Sequence, residues 1–383
     1  MKKFSRVLRL IFLGVAGLPS WFLYGSPLKL DEEVILFPTS ANLNNEGKWE
    51  VPVHAWVFEL EENSISRKLG HEAIGEILEC FDVTEEQTNS ETFRQRLKWF
   101  LVDNERNKRL TLSLNKQKHI TPRTSANGHV DFTVTLKNAS TNSWLNYAVE
   151  TPANDPRIFS GESQLILPTG LSVISDIDDT IKVSEVLDKE ALIQNIFFKK
   201  YVATAGMPEY FKHLSKQGAF FHYVSASPWQ LYPSLKPFMD QHYPKGTFSL
   251  RHFRITDSSF IKFFLSSQDY KIKTIRNIIR RYPQHQFILV GDSGEKDPEI
   301  YAQIYVEFPD NIQNILIRKV SDSDLSDDRM SNIFNRVPKE KWRLFDKPDE
   351  TFLKSAGVKE PLINSWTKQV VFKIFGFKAS NRA

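Results

Sequence analysis

LSVISDIDDTIKV, residues 171–183, joins a strand to a cluster of acids with no linker between them. Leu171 to Ser175 is a short apolar run with β-branched Val173 and Ile174 inside it, the composition of a strand buried on both faces. Polar chemistry begins abruptly at Asp176, and Asp178, Asp179 and Thr180 follow at once. A buried strand that ends this way presents carboxylates at its carboxyl end, which is where open parallel sheets hold their ligands.

The chain on either side of this run has two textures. Downstream, AFFHYVS (219–225), QFILVGD (286–292) and IQNILIR (312–318) repeat the short apolar pattern. Between them MPEYFKHLSKQG (207–218), KIKTIRNIIRRYP (271–283) and DPEIYAQIYVEFP (297–309) carry helical periodicity. In the last, Ile300, Ile304 and Phe308 form one stripe between Pro298 near the start and Pro309 at the end. Strands alternating with helices predict an α/β unit over residues 169–345, a parallel sheet with right-handed crossovers and helices on both faces.

Upstream, residues 27–168 predict a β-rich, sandwich-like domain. EVILFPT (33–39) and VPVHAWVFEL (51–60) are β-branched and aromatic, and RLTLSL (109–114) and HVDFTVTL (129–136) alternate with period two. Asn127-Gly128 signals a turn, and GHEAIGEILECF (70–81) and ETFRQRLKWFLV (91–102) read as short helices. Residues 1–26 place Lys2, Lys3, Arg6 and Arg9 before an apolar run, the layout of a secretory signal or membrane anchor without an Ala-x-Ala cleavage site. That predicts an exported or membrane-associated protein (periplasm or inner membrane in a Gram-negative cell), with a cytoplasmic protein as the alternative. Residues 346–383 form a basic, aromatic tail suited to packing on its own domain or to touching a membrane surface.

Composition narrows the function classes. The 383 residues are 41% hydrophobic and 25% charged, as in folded proteins, and are too many for one ordinary core. A net charge of +4 is too small to imply nucleic acid, and no such partner is expected. With Cys80 as the single cysteine, neither an intrachain disulfide nor a thiolate zinc cluster can form. Gly-Asp-Ser-Gly at 291–294 has the letters that surround a trypsin-like nucleophile, but Glu295 stands where a second glycine would follow, and the flanking pattern is strand, turn, helix. Walker A, His-Glu-x-x-His and Gly-x-Ser-x-Gly motifs are absent from the sequence.

What remains is a set of residues at strand ends. Asp176, Asp178 and Thr180 follow the first strand, Ser225 closes the second, and Lys271 opens the helix leading into the third, with Lys262 and Lys273 as rivals. Asp292 ends that third strand, and Asp297 lies five positions on. Each alone is commonplace, since acids after a strand cap helices and lysines lie on solvated faces; the combination and its order are the signal. Carboxylates gathered at strand ends call for a cation, and an all-oxygen set with few protein donors suits Mg²⁺. A carboxylate can attack phosphorus, a second can move the proton, and a lysine and a hydroxyl can steady phosphoryl oxygens.

VISDIDDTIKV resembles the first motif of the haloacid dehalogenase superfamily, FFHYVS its second, Lys271 its third and GDSGEKD its fourth. SDIDDTIK, YVSASPWQLYP and GDSGEKDPEIY together are similar to the App1-type phosphatidate phosphatase family, and VPVHAWVFE and FLVDNERNKRLTLSL are similar to the region preceding its catalytic domain. The resemblance implies Asp176 as nucleophile and Asp178 as general acid and base. It implies Mg²⁺ held by Asp176, the backbone carbonyl of Asp178 and Asp292, with Asp297 in support, and Ser225 and Lys271 on the phosphoryl group. The substrate it implies is a lipid phosphate, phosphatidate, met at a membrane surface by a site without a large cap. The alternatives are a phosphatase of soluble phosphomonoesters and a non-catalytic protein that binds lipid or a partner.

Overall fold

The computed structural model describes residues 26–60, 83–139, 144–253, 268–320, 326–348 and Phe352. Residues 1–25, the helix expected over 70–81, Lys262 and all of the tail beyond Pro348 except Phe352 lie outside that set.

The N-terminal half is a β-sandwich. Its strands are β1 (Glu32–Phe37), β2 (Thr39–Leu43), β3 (Trp49–Glu59), β4 (Asp103–Asn104), β5 (Thr111–Leu114), β6 (Gln117–Ile120), β7 (His129–Leu136), β8 (Trp144–Val149) and β9 (Ser160–Leu165). One layer runs β1–β3–β7, with β4 on β3, and the other runs β9–β8–β5–β6. Strand β2 joins them, antiparallel to β3 through Asn42 and Leu43 and parallel to β9 through Thr39–Ala41. The β5–β6 hairpin turns on Asn115 and Lys116, at φ 51° and 62°, the double left-handed turn that matches strand twist. The Asn127-Gly128 signal marks the turn that delivers the chain into β7, where Gly128 at φ 73° donates to the Ser125 carbonyl at 3.0 Å.

Strand β3 explains why VPVHAWVF is apolar throughout. Val51, Val53, Ala55 and Val57 point into the sandwich core with Leu112, Leu145 and Tyr147. Trp56 and Phe58 point the other way, into a core shared with Val173, Phe221, Tyr223 and Trp229 of the second half. Strand β3, buried on both faces, is thus one of the elements that join the two halves.

The second half is a six-stranded parallel sheet in the order β12–β11–β10–β13–β14–β15. These strands are β10 (Thr169–Ser175), β11 (Phe220–Pro228), β12 (Thr247–Arg251), β13 (Gln284–Asp292), β14 (Ile312–Arg318) and β15 (Trp342–Phe345). Only three residues separate β9 from β10. Among the described residues, besides a single turn at Glu85–Thr88, the helices are α1 (Glu91–Leu97) in the first half, then α2 (Lys189–Ile193), α3 (Met207–Lys216), α4 (Tyr232–His242), α5 (Gln268–Arg281), α6 (Asp297–Glu307) and α7 (Asp327–Ile333). Alternate strand residues face opposite layers. Val173, Ile288, Val290 and Leu316 pack on α3 and α4, while Ile174, Phe287, Leu289 and Ile315 pack on α5, α6 and α7. Strand order counted from β10 is 3-2-1-4-5-6, the doubly wound order, with its switch point between β10 and β13. In this half two strands, β12 and β15, and helices α2, α4 and α7 are additions to the elements expected from sequence.

Two histidines make this core acid-sensitive. His222 on β11 and His285 on β13 are buried, the first bonded to the Thr247 hydroxyl and the second to the Ser172 hydroxyl and the Leu167 carbonyl. Burial pushes His222 down to about 3 and His285 down to about 4. In the unfolded chain both titrate near ~6.5. Below that pH the unfolded state takes up protons that the folded state refuses. Stability is therefore complete above ~6.5 and falls toward the folded values by up to about 1.4 kcal/mol per pH unit for each histidine. Urea unfolding midpoints measured from neutral to mildly acidic pH should fall steeply, and the His222→Gln, His285→Gln double variant should flatten the slope.

Candidate active site

The site lies at the switch point, on the carboxyl ends of β10 and β13. Asp176 follows Ser175 directly, and its backbone N–H donates to the Val290 carbonyl on β13 at 2.9 Å, so the two strand ends are locked in register. Asp292 is the last residue of β13. Both side chains are buried.

Lys271, in the first turn of α5, brings the carboxylates together. Isoleucines 272, 275 and 279 hold the helix against the sheet and direct Lys271 inward, while Lys273 is exposed. The ammonium, 1% exposed, lies 2.7 Å from Asp176 Oδ1, 2.6 Å from Glu295 Oε2 and 2.8 Å from Asp297 Oδ1. Burial opposes its charge, but Asp176, Asp297 and Glu295 more than compensate and hold it well above the usual lysine range. Burial pushes Asp176 and Asp292 well up; at Asp176 Lys271 is the main opposing influence, and at both the surrounding acids add to the rise.

The turn after β13 explains the spacing of the two acids. Asp292 Oδ1 accepts from the N–H groups of Gly294 and Glu295, at 2.7 and 3.0 Å, and closes the turn on itself. Asp297 opens α6 and reaches back, with Oδ2 accepting from the Asp292 N–H at 3.3 Å. Ser293 is part of this turn, its hydroxyl accepting from the Val320 N–H at 2.9 Å. Gly291 leaves room for the closure, since a Cβ there would lie 2.4 Å from Asp297 Oδ2 and 2.7 Å from the Tyr301 ring.

A divalent cation fits the remaining oxygens. Asp292 Oδ2 is buried without a hydrogen-bond partner, and one oxygen each from Asp176, Asp292 and Glu295 fall within 4.8 Å of one another. An all-carboxylate set suits a hard ion such as Mg²⁺. Glu295 enters this set although its spacing in GDSGEKD carried no signal for it, whereas Asp297 is engaged by Lys271 and the Asp292 backbone.

Asp178 and Asp179 have separate work. Asp178 Oδ1 takes Lys182 at 2.8 Å and the Ser184 hydroxyl at 2.7 Å, and Oδ2 takes the hydroxyls of Ser225 and Ser227, each at 3.0 Å. Burial pushes this carboxyl up, but Lys182 and the hydroxyls prevail and bring it to about 2. Ser225, expected on a phosphoryl group, donates here to Asp178. Lys182, Ser184 and Ser227 were not singled out from sequence; only proximity to the acidic run could have pointed to the first two. Asp179, at φ 52°, accepts the N–H groups of Ser184, Glu185 and Val186 at 2.7–3.0 Å and winds the following loop around itself. Thr180 donates to Asp176 Oδ2 at 3.2 Å.

Fold and site together define a doubly wound α/β protein with a lysine-braced carboxylate centre at its switch point. Residues 171–319, which carry that centre, match the family described as phosphatidate phosphatase APP1, catalytic domain. The chain is 34% identical over 204 residues to phosphatidate phosphatase APP1 of Saccharomyces cerevisiae, covering 50% of this chain and 34% of that protein. It is 31% identical over 169 residues to an uncharacterized protein of Schizosaccharomyces pombe, covering 43% of this chain and 27% of that one. The chain thus spans about a third or less of the length of these curated relatives. A 2,6-sialyltransferase of Photobacterium sp. JT-ISH-224 covers 65% of this chain and 54% of its own at 8% identity and a TM-score of 0.22, too low to speak for a shared fold.

The close approach at Gly291 is the most exposed point of this geometry to mutation. Gly291→Ala should force the start of α6 away from Asp292 and destabilise the protein by about 1–3 kcal/mol, the usual cost of overpacking. Chemical denaturation of the variant should show that loss, and a crystal structure should show Asp297 displaced from Lys271.

Proposed function

We propose that this chain is a Mg²⁺-dependent phosphomonoester hydrolase of the haloacid dehalogenase type, converting phosphatidate to diacylglycerol and phosphate through an aspartyl-phosphate on Asp176. The observation that carries this reading is the meeting of Asp176, Asp292 and Glu295, two of them paired with buried Lys271, within the segment similar to a phosphatidate phosphatase catalytic domain.

In the first half-reaction a carboxylate oxygen of Asp176 attacks phosphorus, the bond from phosphorus to the glycerol oxygen breaks, and that oxygen takes a proton. Lys271 steadies Asp176 and faces the charge that develops on the phosphoryl oxygens. Asp178 moves the proton. Lys182 and the hydroxyls around it keep it ionised at rest, and a dianionic phosphoryl group arriving nearby raises its hold on a proton. In the second half-reaction water adds to phosphorus and returns a proton to Asp178, and the Asp176–phosphorus bond breaks to release phosphate. Ser225 and Ser227, now on Asp178, would turn from it to donate to the phosphoryl oxygens. Mg²⁺ held by Asp176, Asp292 and Glu295, with the Asp178 carbonyl, would offset phosphoryl charge against these acids.

Phosphate release from phosphatidate in mixed micelles should require Mg²⁺ and stop when EDTA is added. Asp176→Asn should lower it at least about a thousandfold, or ~4 kcal/mol of barrier. Full activity in that variant would refute the mechanism. Faster hydrolysis of soluble sugar or nucleotide phosphates would refute the lipid substrate while leaving the mechanism in place.

The proposed setting is a membrane surface, reached by export or anchoring through residues 1–26. No helix among the described residues is long and apolar enough to cross a membrane. Fractionation of the full chain carrying a C-terminal tag should recover it with membranes or outside the cytoplasm; recovery wholly in the cytosol would refute the location.

A further inference from the structure

A second cluster of ligating side chains lies away from the carboxylates, where the sandwich meets the parallel sheet. His54 on β3, His129 on β7 and His252, directly after β12, each place a ring nitrogen within 4.8 Å of the others. His54 and His129 are buried and His252 is exposed, so the cluster has a dry floor and an open side. His54 Nε2 and His129 Nδ1 face each other at 2.8 Å. Around them are aromatic rings. Phe37 lies 4.5 Å from His54, Trp229 lies 4.6 Å from it edge-on, and Trp56 stacks on His129 at 5.4 Å.

We propose that His54, His129 and His252 form a transition-metal site of the Zn²⁺ type that fastens the sandwich to edge strand β12. Three imidazoles with an open fourth position are a donor set for zinc, and nitrogen donors separate this site from the oxygen-only set at Asp176 and Asp292. Zn–N bonds of ~2.0–2.1 Å in a tetrahedron hold neighbouring nitrogens about 3.3 Å apart, so the facing pair need separate by only about half an ångström.

The protons also balance. In the metal-free pair one hydrogen lies between His54 Nε2 and His129 Nδ1. An ion can take both lone pairs only when each ring carries its hydrogen on the other nitrogen. Asp131, the cross-strand partner of His54, has Oδ1 3.9 Å from His54 Nδ1 and favours that tautomer on the water-facing side. Strand β12 is two strands from β10, about 10 Å at ordinary strand spacing, so the ion would brace the same end of the sheet that carries Asp176 without touching it.

The test is titration of metal-freed full-length protein with Zn²⁺ in saturating Mg²⁺, followed by metal analysis and thermal unfolding. A parallel titration with Co²⁺ reads the visible spectrum. One equivalent of Zn²⁺ should bind and raise Tm, and Co²⁺ should give the intense absorption of a tetrahedral nitrogen site. His252→Ala should lose both signals while unfolding like the metal-free wild type. Asp292→Asn should leave the equivalent in place. Absence of Zn²⁺ uptake in the presence of Mg²⁺, its survival in His252→Ala, or a weak octahedral Co²⁺ spectrum that disappears in Asp292→Asn would each overturn the proposal.

Discussion

The ammonium of Lys271 sits against three carboxylates where water is excluded, and the geometry of the site depends on that contact. Burying charges is costly, and a buried ion pair seldom repays its desolvation through attraction alone. Here the acids outnumber the cation, so the cluster cannot be a stability device that is complete in itself. The contact instead dictates where backbone must go. The start of α5, the end of β10 and the turn from β13 into α6 converge because Asp176, Glu295 and Asp297 all share the one ammonium. Gly291 follows from it, because Asp297 can reach Lys271 only if the backbone beside it carries no Cβ. The unpartnered oxygen of Asp292 follows as well, since Lys271 is already shared by three other acids.

Two residues further along the chain the electrostatics reverse. Asp176 is pushed up by burial against the pull of its lysine, while Asp178, which burial also pushes up, is drawn down to about 2 by Lys182 and hydroxyl donors. The two carboxyls sit in neighbouring positions with opposed environments, so one short acidic run holds two carboxyls whose hold on a proton is driven apart. Asp179, third in the same acidic run, makes the separation possible. Its left-handed backbone and three accepted N–H groups fold the loop that lays Lys182 and Ser184 against Asp178.

The sequence made the frame legible because burial on two faces leaves a plain mark. LSVIS, FFHYVS, QFILVGD and IQNILIR are continuous apolar runs and form the four inner strands. The edge strands β12 and β15, TFSLR and WRLF, are shorter and mixed in polarity, and nothing local separates them from loop. Asp176, Asp292 and Lys271 were visible from their places at strand and helix ends. Glu295 was not, because its entry depends on how the Asp292 turn closes, a property of backbone N–H groups and not of residue type. VPVHAWVFEL showed a strand but not that its two faces serve two cores, since a one-dimensional pattern records that a residue is buried and not against what.

That double burial makes the N-terminal half part of the site's support. Helix α1 packs Phe93 and Leu97 on Leu192, Ile193, Ile196 and Phe197, and Arg96 donates to the carbonyls of Asn195, Ile196 and Lys199. These residues lie a few positions after the loop that Asp179 winds, and Asn195 donates to the Ser184 carbonyl at 3.1 Å and to Glu185 at 2.7 Å. Ser184 in turn donates to Asp178 at 2.7 Å. An unbroken series of contacts therefore runs from a helix of the first half to the carboxylate that the second half sets beside Asp176. Trp56 and Phe58 of β3 meanwhile cover apolar surface next to β10 and β11 that a free-standing parallel sheet would expose. Removing the sandwich would leave the strands of the second half connected as before, but it would uncover their core on one side and release the loop of Asp178 on the other. The parallel sheet sets the positions of the acids, and the sandwich keeps the loop between them in the shape that makes their environments differ.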